Sequence, residues 1–251
     1  MLVTKQNTTH SGFFGKIEKL IRAVPHIYIF FRYLVSFTTY FEEDFYYLKI
    51  LFNDRKINII DVGASDGISA KFFEKNLNCG KIYCYEPQKS FFKKLTKLKR
   101  KNNKLVLYNF GLGKKNFNME VFYPYVTIFK RKFFLLTYTF PIKKELQAQI
   151  DLDFFIKPKI RKDKISVKKF KMIKNKIDLI KIDTNGSEVQ IVETMLSIIK
   201  RDRPVLIIEN NNINKINKFL KKYSYKKYCI INREFVPHIH QNSANIIFKI
   251  K

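Results

Sequence analysis

Apolar and polar positions change rhythm along this chain, and the changes mark its elements. From Ile57 onward, short unbroken apolar runs alternate with stretches of helical spacing. "INIIDV" (57–62) is a β-branched run of the kind buried on both faces of a sheet. "ISAKFFEKNL" follows, with Ile68, Phe72, Phe73 and Leu77 on one helical side. "KIYCYEP" reads as a second strand stopped by Pro87, and "QKSFFKKLTKLKR" as an amphipathic helix carrying Phe91, Phe92, Leu95 and Leu98. "KLVLYNFGLG" is a third strand that ends in glycines. Later, "KIDLIKID", "RPVLIIEN", "KKYCIIN" and "SANIIFKI" read as strands four to seven. Between them "SEVQIVETMLSIIKR" and "INKINKFLKKY" are helical. Strands alternating with helices imply parallel pairing through right-handed crossovers. The last two strands lie close in sequence, so the terminal one is expected to run antiparallel. The pattern predicts an α/β fold with a seven-stranded, mostly parallel sheet.

Two regions break the rhythm. Residues 114–170 include "TIFKRKFFLLTYTFPIKKELQAQIDLDFFIKPKIRKDK", which is aromatic and basic without a clear period. So long an insertion in an α/β domain is expected to serve as a substrate lid or a binding element, with a packed structural excursion as the alternative. Residues 1–52 read as a helical N-terminal extension, leaving 53–251 as the main domain. Within that extension, "IRAVPHIYIFFRYLVSFTTYF" comes nearest to a membrane element. His26 and Arg32 interrupt it, so packing or peripheral membrane contact through residues 22–52 fits it better than a span.

Composition adds one ambiguity. The 251 residues carry a formal net charge of +28. A field of that sign attracts nucleic acid, anionic membranes or acidic substrates. Yet the lysines are spread throughout and accompany Asn and Ile, as compositional bias would produce. Three cysteines, Cys79, Cys84 and Cys229, form neither a CxxC pair nor a metal-ligand cluster with histidine. With no cleavable signal peptide evident, they point to a cytoplasmic protein, with a membrane-peripheral one as the alternative.

The candidate chemistry gathers at strand ends. "DVGASDG" (61–67) follows the first strand and opens a helix. Glycines there let backbone approach a ligand, and helix N-terminal amides aim at it. The spacing G-x-x-x-G is neither the dinucleotide fingerprint nor a phosphate-binding Walker loop. Glu86 ends the second strand, where a carboxylate can take two hydroxyl donors from a ribose. Asp183 ends the fourth strand beside the switch point. Three roles are open to it: ordering an acceptor hydroxyl, acting as base, or joining a metal site with Glu188 or Glu209. A helix N-cap is the structural alternative. His238 and His240 fall in a loop before the last strand.

"DVGASDG", "YEP" (85–87), "NFGLG" (109–113) and "KIDTNGSE" (181–188) together resemble the FkbM family of class I S-adenosylmethionine-dependent methyltransferases. The resemblance implies a Rossmann-like fold and S-adenosyl-L-methionine as cofactor. It assigns cofactor binding to Asp61, Gly63, Ala64, Ser65 and Gly67 around the methionine part, to Glu86 and Pro87 at the ribose, and to Asn109 near the adenine. Asp183 and Glu188 become the catalytic candidates, and metal dependence stays unknown. Ser65 stands where the family often has Asn or His, and Asn185 where it often has Glu or Gln. The implied acceptor is a sugar or other small biosynthetic hydroxyl, as in glycan modification. An RNA or DNA methyltransferase is the alternative suggested by charge, although no Asn-Pro-Pro-aromatic motif is present. A non-catalytic cofactor-binding protein is a third reading. The oligomeric state is not legible.

Overall fold

The computed structural model describes residues 24–27, 30, 45, 47–135, 139–231, 234–237 and 245–250. The regular elements begin with α1 (Leu48–Phe52), β1 (Ile57–Val62), α2 (Ile68–Asn76), β2 (Cys79–Tyr85), α3 (Lys89–Lys99), β3 (Leu105–Tyr108) and β4 (Gly111–Leu112). Next come β5 (Phe117–Ile128), β6 (Arg131–Phe134), α4 (Lys143–Asp153) and β7 (Lys159–Lys168). The chain closes with β8 (Leu179–Ile182), α5 (Glu188–Thr194), α6 (Leu196–Asp202), β9 (Val205–Glu209), α7 (Ile213–Lys221), β10 (Tyr225–Ile231), β11 (Glu234–Pro237) and β12 (Asn245–Ile250).

The apolar runs assemble into an eight-stranded sheet ordered β11-β10-β12-β9-β8-β1-β2-β3. β1, β2, β3, β8 and β9 run parallel. β12 runs antiparallel to both β9 and β10. This Rossmann-like arrangement corrects the expected count of seven. The eighth strand is β11, which pairs antiparallel with β10 at the sheet edge, Cys229 opposite Val236. Four residues are too few to show an alternation in the sequence, and the stretch reads as loop. His238 and His240 lie outside the described residues.

Alternation in the parallel strands feeds two cores. Ile59, Ile82, Cys84 and Leu105 pack with Phe72, Phe73 and Leu95 of α2 and α3. Ile60, Ile180, Ile182 and Ile208 pack on the other face with Ile191, Ile198, Ile199 and Ile216. The helix expected over 187–201 is broken into α5 and α6 at Met195, whose amide is shared between the Ile191 and Val192 carbonyls. The apolar spacing continues through the break, so the sequence does not mark it.

The chain divides into two compact units. The larger takes Thr39–Met119 and Ile165–Lys251, and the smaller contains Glu120–Lys164 with the described residues before Thr39. In the larger, Phe45 packs on the rings of Phe72 and Phe73. In the smaller, β5 and β6 form a hairpin with Ile128 opposite Arg131. Leu135, Leu146, Ile150 and Phe154 make a small core of their own there. Most of residues 22–44 lie outside the described residues, and with them most of the segment expected to contact a membrane. No described helix is long and apolar enough to cross one.

Candidate functional site

The site is built on the turn that leaves β1. Gly63 has φ +77°, and a Cβ placed there would lie 1.9 Å from the Asp183 carbonyl oxygen. Gly67 has φ +88°, and its Cβ would meet Leu95 at 2.9 Å and Leu98 at 3.0 Å. The room left by these missing side chains is therefore filled by protein. Gly63 lets the tip of β1 close against the tip of β8, and Gly67 lets α2 start against α3. The Gly63 and Ala64 amides both donate to the Tyr85 carbonyl, at 3.0 and 3.2 Å, which ties the turn to β2. Ser65 sits at φ +51° with its Oγ buried and without a protein partner.

Asp61 is fully buried. Its Oδ2 accepts a hydrogen bond from Ser69 Oγ at 2.5 Å. Its Oδ1 lies 3.2 Å from the ammonium of Lys181, itself only 4% exposed. Lys181 also donates to the Gly63 carbonyl at 3.2 Å and lies 3.6 Å from Asp183 Oδ2. One buried cation thus joins the β1 turn to the end of β8. Sequence reasoning missed Lys181, although a lysine inside the otherwise apolar strand "KIDLIKID" signals a buried partner: an unpaired charge there costs too much to keep.

Glu86 occupies the tip of β2 and is 4% exposed. Oε2 accepts from the Ser65 amide at 2.9 Å and Oε1 from the Gln88 amide at 2.8 Å. Burial pushes its pKa up to about 7, against the opposing pull of the Gln88 and Ser65 amides. Each oxygen keeps acceptor capacity beyond its single N–H, so the carboxylate can still take two hydroxyl donors. Pro87 follows it, half-buried. Asn109, after β3, donates to the carbonyls of Glu86 and Pro87 at 2.9 and 3.2 Å and so fixes the loop that carries Glu86.

At the neighbouring tip the Asp183 side chain is 43% exposed, the most open carboxylate of this group. Its amide donates to the Val62 carbonyl at 3.1 Å. Glu188 behaves differently. It is fully buried, and its Oε1 accepts from the Thr184 amide, the Thr184 hydroxyl and the Gly186 amide, each at 3.0 Å. These three bonds hold the 184–186 turn through Oε1, while Oε2 is buried without a hydrogen-bond partner. Asn185 has φ +55°, a conformation that Asn tolerates better than longer side chains do. Its amide lies 3.3 Å from Glu209 Oε2.

Among the described residues, no three His, Cys, Asp or Glu side chains are grouped to hold a metal ion. A cavity of about 370 Å³ lies elsewhere in the larger unit, lined by Tyr83, Tyr85, Tyr108, Phe110 and residues 171–175. None of Asp61, Gly63, Glu86 and Asp183 borders it.

A family model described as the methyltransferase FkbM domain matches residues 61–227. Among solved structures, the chain is similar to an FkbM methyltransferase from Methylobacillus flagellatus KT, with 14% identity and a TM-score of 0.50 over 77% of this chain. That match covers 43% of the other chain, so this protein spans less than half the length of that relative. The B. subtilis tRNA methyltransferase TrmK gives 10% identity and a TM-score of 0.43, over 85% of this chain and 68% of that one. A Streptococcus mutans protein solved in complex with SAH gives 11% and 0.41, over 84% and 99%. No curated protein matches. At 14% identity the Methylobacillus structure speaks for the fold alone, whereas the family model spans the glycine turn, the β2 carboxylate and the β8 turn in their observed order: the chain belongs to the FkbM family of methyltransferases.

Proposed function

We propose that this FkbM-family protein transfers the methyl group of S-adenosyl-L-methionine to a hydroxyl oxygen, with a sugar or other small biosynthetic alcohol as acceptor. The observation that carries the reading is Glu86. It is a buried carboxylate at a strand tip, fixed by the Ser65 and Gln88 amides and with acceptor capacity to spare. That is the acceptor set a ribose diol fits. The orphaned Ser65 Oγ beside it supplies a further polar atom for a ligand.

When bound, the cofactor supplies an electrophilic methyl carbon on a sulfonium. This chain's residues bind and align. Glu86 accepts the ribose hydroxyls, while the 63–67 turn, pinned to β2 through the Tyr85 carbonyl, receives the amino-acid part. Asp183 stands half-exposed across the switch point, where it would order an acceptor hydroxyl and take up its proton. Lys181 restrains that carboxylate, and Glu188 holds the turn that follows it. In-line displacement at carbon draws much of its acceleration from such alignment, and an alcohol acceptor gains further from a base.

Calorimetry with S-adenosylhomocysteine tests the cofactor assignment. Glu86→Ala removes charge-assisted hydrogen bonds and should weaken binding roughly ten- to hundredfold. Unchanged affinity would remove Glu86 from the cofactor site. With labelled methyl donor, an acceptor panel spanning sugar phosphates, free alcohols and RNA tests the substrate class. Label in RNA alone would replace the glycan reading. Asp183→Asn should leave S-adenosylhomocysteine binding intact and depress transfer, and full turnover in that variant would exclude Asp183 from the chemistry.

A further inference from the structure

The smaller unit leaves an unusual surface open. Most of the large apolar side chains exposed among the described residues belong to it, including Phe129, Phe133, Ile142, Leu152 and Phe155. Phe129 is the extreme case, 96% exposed at the tip of the β5–β6 hairpin. The turn residues Phe129 and Lys130 both have positive φ, +46° and +63°. A two-residue hairpin turn of this hand normally takes Asn-Gly or Asp-Gly, because bulky side chains are strained there. Here the sequence instead places an aromatic ring in water, on strained backbone, followed by Lys130, Arg131 and Lys132, all exposed. Among the described residues, neither Lys130 nor Arg131 has an acidic partner. The loop after α4 also exposes apolar side chains, Phe155 at 86% and Ile156 at 45%, although the neighbouring Lys157 is paired with Asp151.

From this we infer that the smaller unit docks on an anionic bilayer surface, with the Phe129 tip entering the headgroup region and the flanking cations meeting lipid phosphates. An aromatic ring tipped with cations suits an interface that is apolar on one side and negative on the other. A nucleic acid would reward the cations but offers little to a lone apolar tip among them, and a protein partner would not require the run of charge. The inference does not depend on the methyl-transfer reading, since it concerns residues remote in sequence from Glu86 and Asp183.

Co-sedimentation of the full chain with vesicles tests it, comparing phosphatidylcholine alone with phosphatidylcholine mixed with phosphatidylglycerol. Binding is expected on the anionic vesicles and largely lost on the neutral ones. Phe129→Asn should lower partitioning about tenfold. It should do so without lowering the melting temperature, because Asn is at home in the turn that strains Phe. Lys130→Ala and Arg131→Ala should each cost about fivefold. The proposal is overturned by absence of binding to anionic vesicles, or by Phe129→Asn binding as well as wild type, which would reduce the effect to adsorption of a polycation. A fall in melting temperature for Phe129→Asn would contradict the strain it rests on. Tighter binding to single-stranded RNA than to vesicles, unaffected by Phe129→Asn, would assign the surface to nucleic acid.

Discussion

On the proposed reading, in which Glu86 takes the ribose hydroxyls, affinity for S-adenosylhomocysteine depends on pH with a sign and size set by the surroundings of that carboxyl. In the free protein its pKa is raised from 4.5 to about 7, chiefly by burial. A ribose diol donating two O–H groups needs the ionised carboxylate. Below about pH 7 binding must therefore first remove a proton, and each unit of pH costs roughly 1.4 kcal/mol, or tenfold in Kd. Calorimetry should find the complex about tenfold weaker at about pH 6 than on the plateau above 7, and about a hundredfold weaker near pH 5. The amino and carboxyl groups of the ligand do not titrate in this interval, so Glu86→Gln, weaker throughout, should give a flat profile. The ligand-free protein should show the opposite trend. A folded-state pKa above the unfolded value means that the native state holds a proton that the unfolded chain has lost. Wild-type stability then declines relative to Glu86→Gln as pH rises from about 4.5 through about 7, by about 3 kcal/mol in all. A flat wild-type binding profile, or a slope that survives in Glu86→Gln, would refute the reasoning.

Other perturbations separate structural from chemical roles. Lys181→Met strands the buried Asp61 charge and should cost about 3–5 kcal/mol in denaturant unfolding, and pairing it with Asp61→Asn should recover much of the loss. Gly63→Ala forces a Cβ onto the Asp183 carbonyl at positive φ and should leave little folded protein by circular dichroism. Gly186→Ala, with nothing within 4 Å of the new atom but a backbone at φ +109°, should lower stability by about 1–3 kcal/mol through backbone strain alone.

The sheet was legible because its information is local. The runs around Ile59, Ile82, Ile180 and Ile207 are buried on both faces and read as continuous apolar strands, and Phe72 and Leu95 sit at helical spacing on the faces that cover them. What escaped was non-local. That Gly63 is required by a carbonyl 120 residues away, or that Lys181 reaches back to Asp61, depends on which strands become neighbours at the switch point. The burial of Glu188 escaped for a different reason: a carboxylate early in a helix is common on dipole grounds, and only the turn's geometry shows that it closes on Thr184 and Gly186. In the insertion, β5 alternates imperfectly around Pro124, and β7 spends its outward positions on lysines and arginine, so neither shows a clean period of two.

A single ammonium, Lys181, serves both strand tips. The tips are therefore not separately adjustable. A change at Asp61 alters the charge left to steady Asp183, and the reverse holds too, so the two aspartates should respond non-additively to substitution. For redesign of the proposed acceptor site, this favours leaving the lysine and both of its carboxylates untouched.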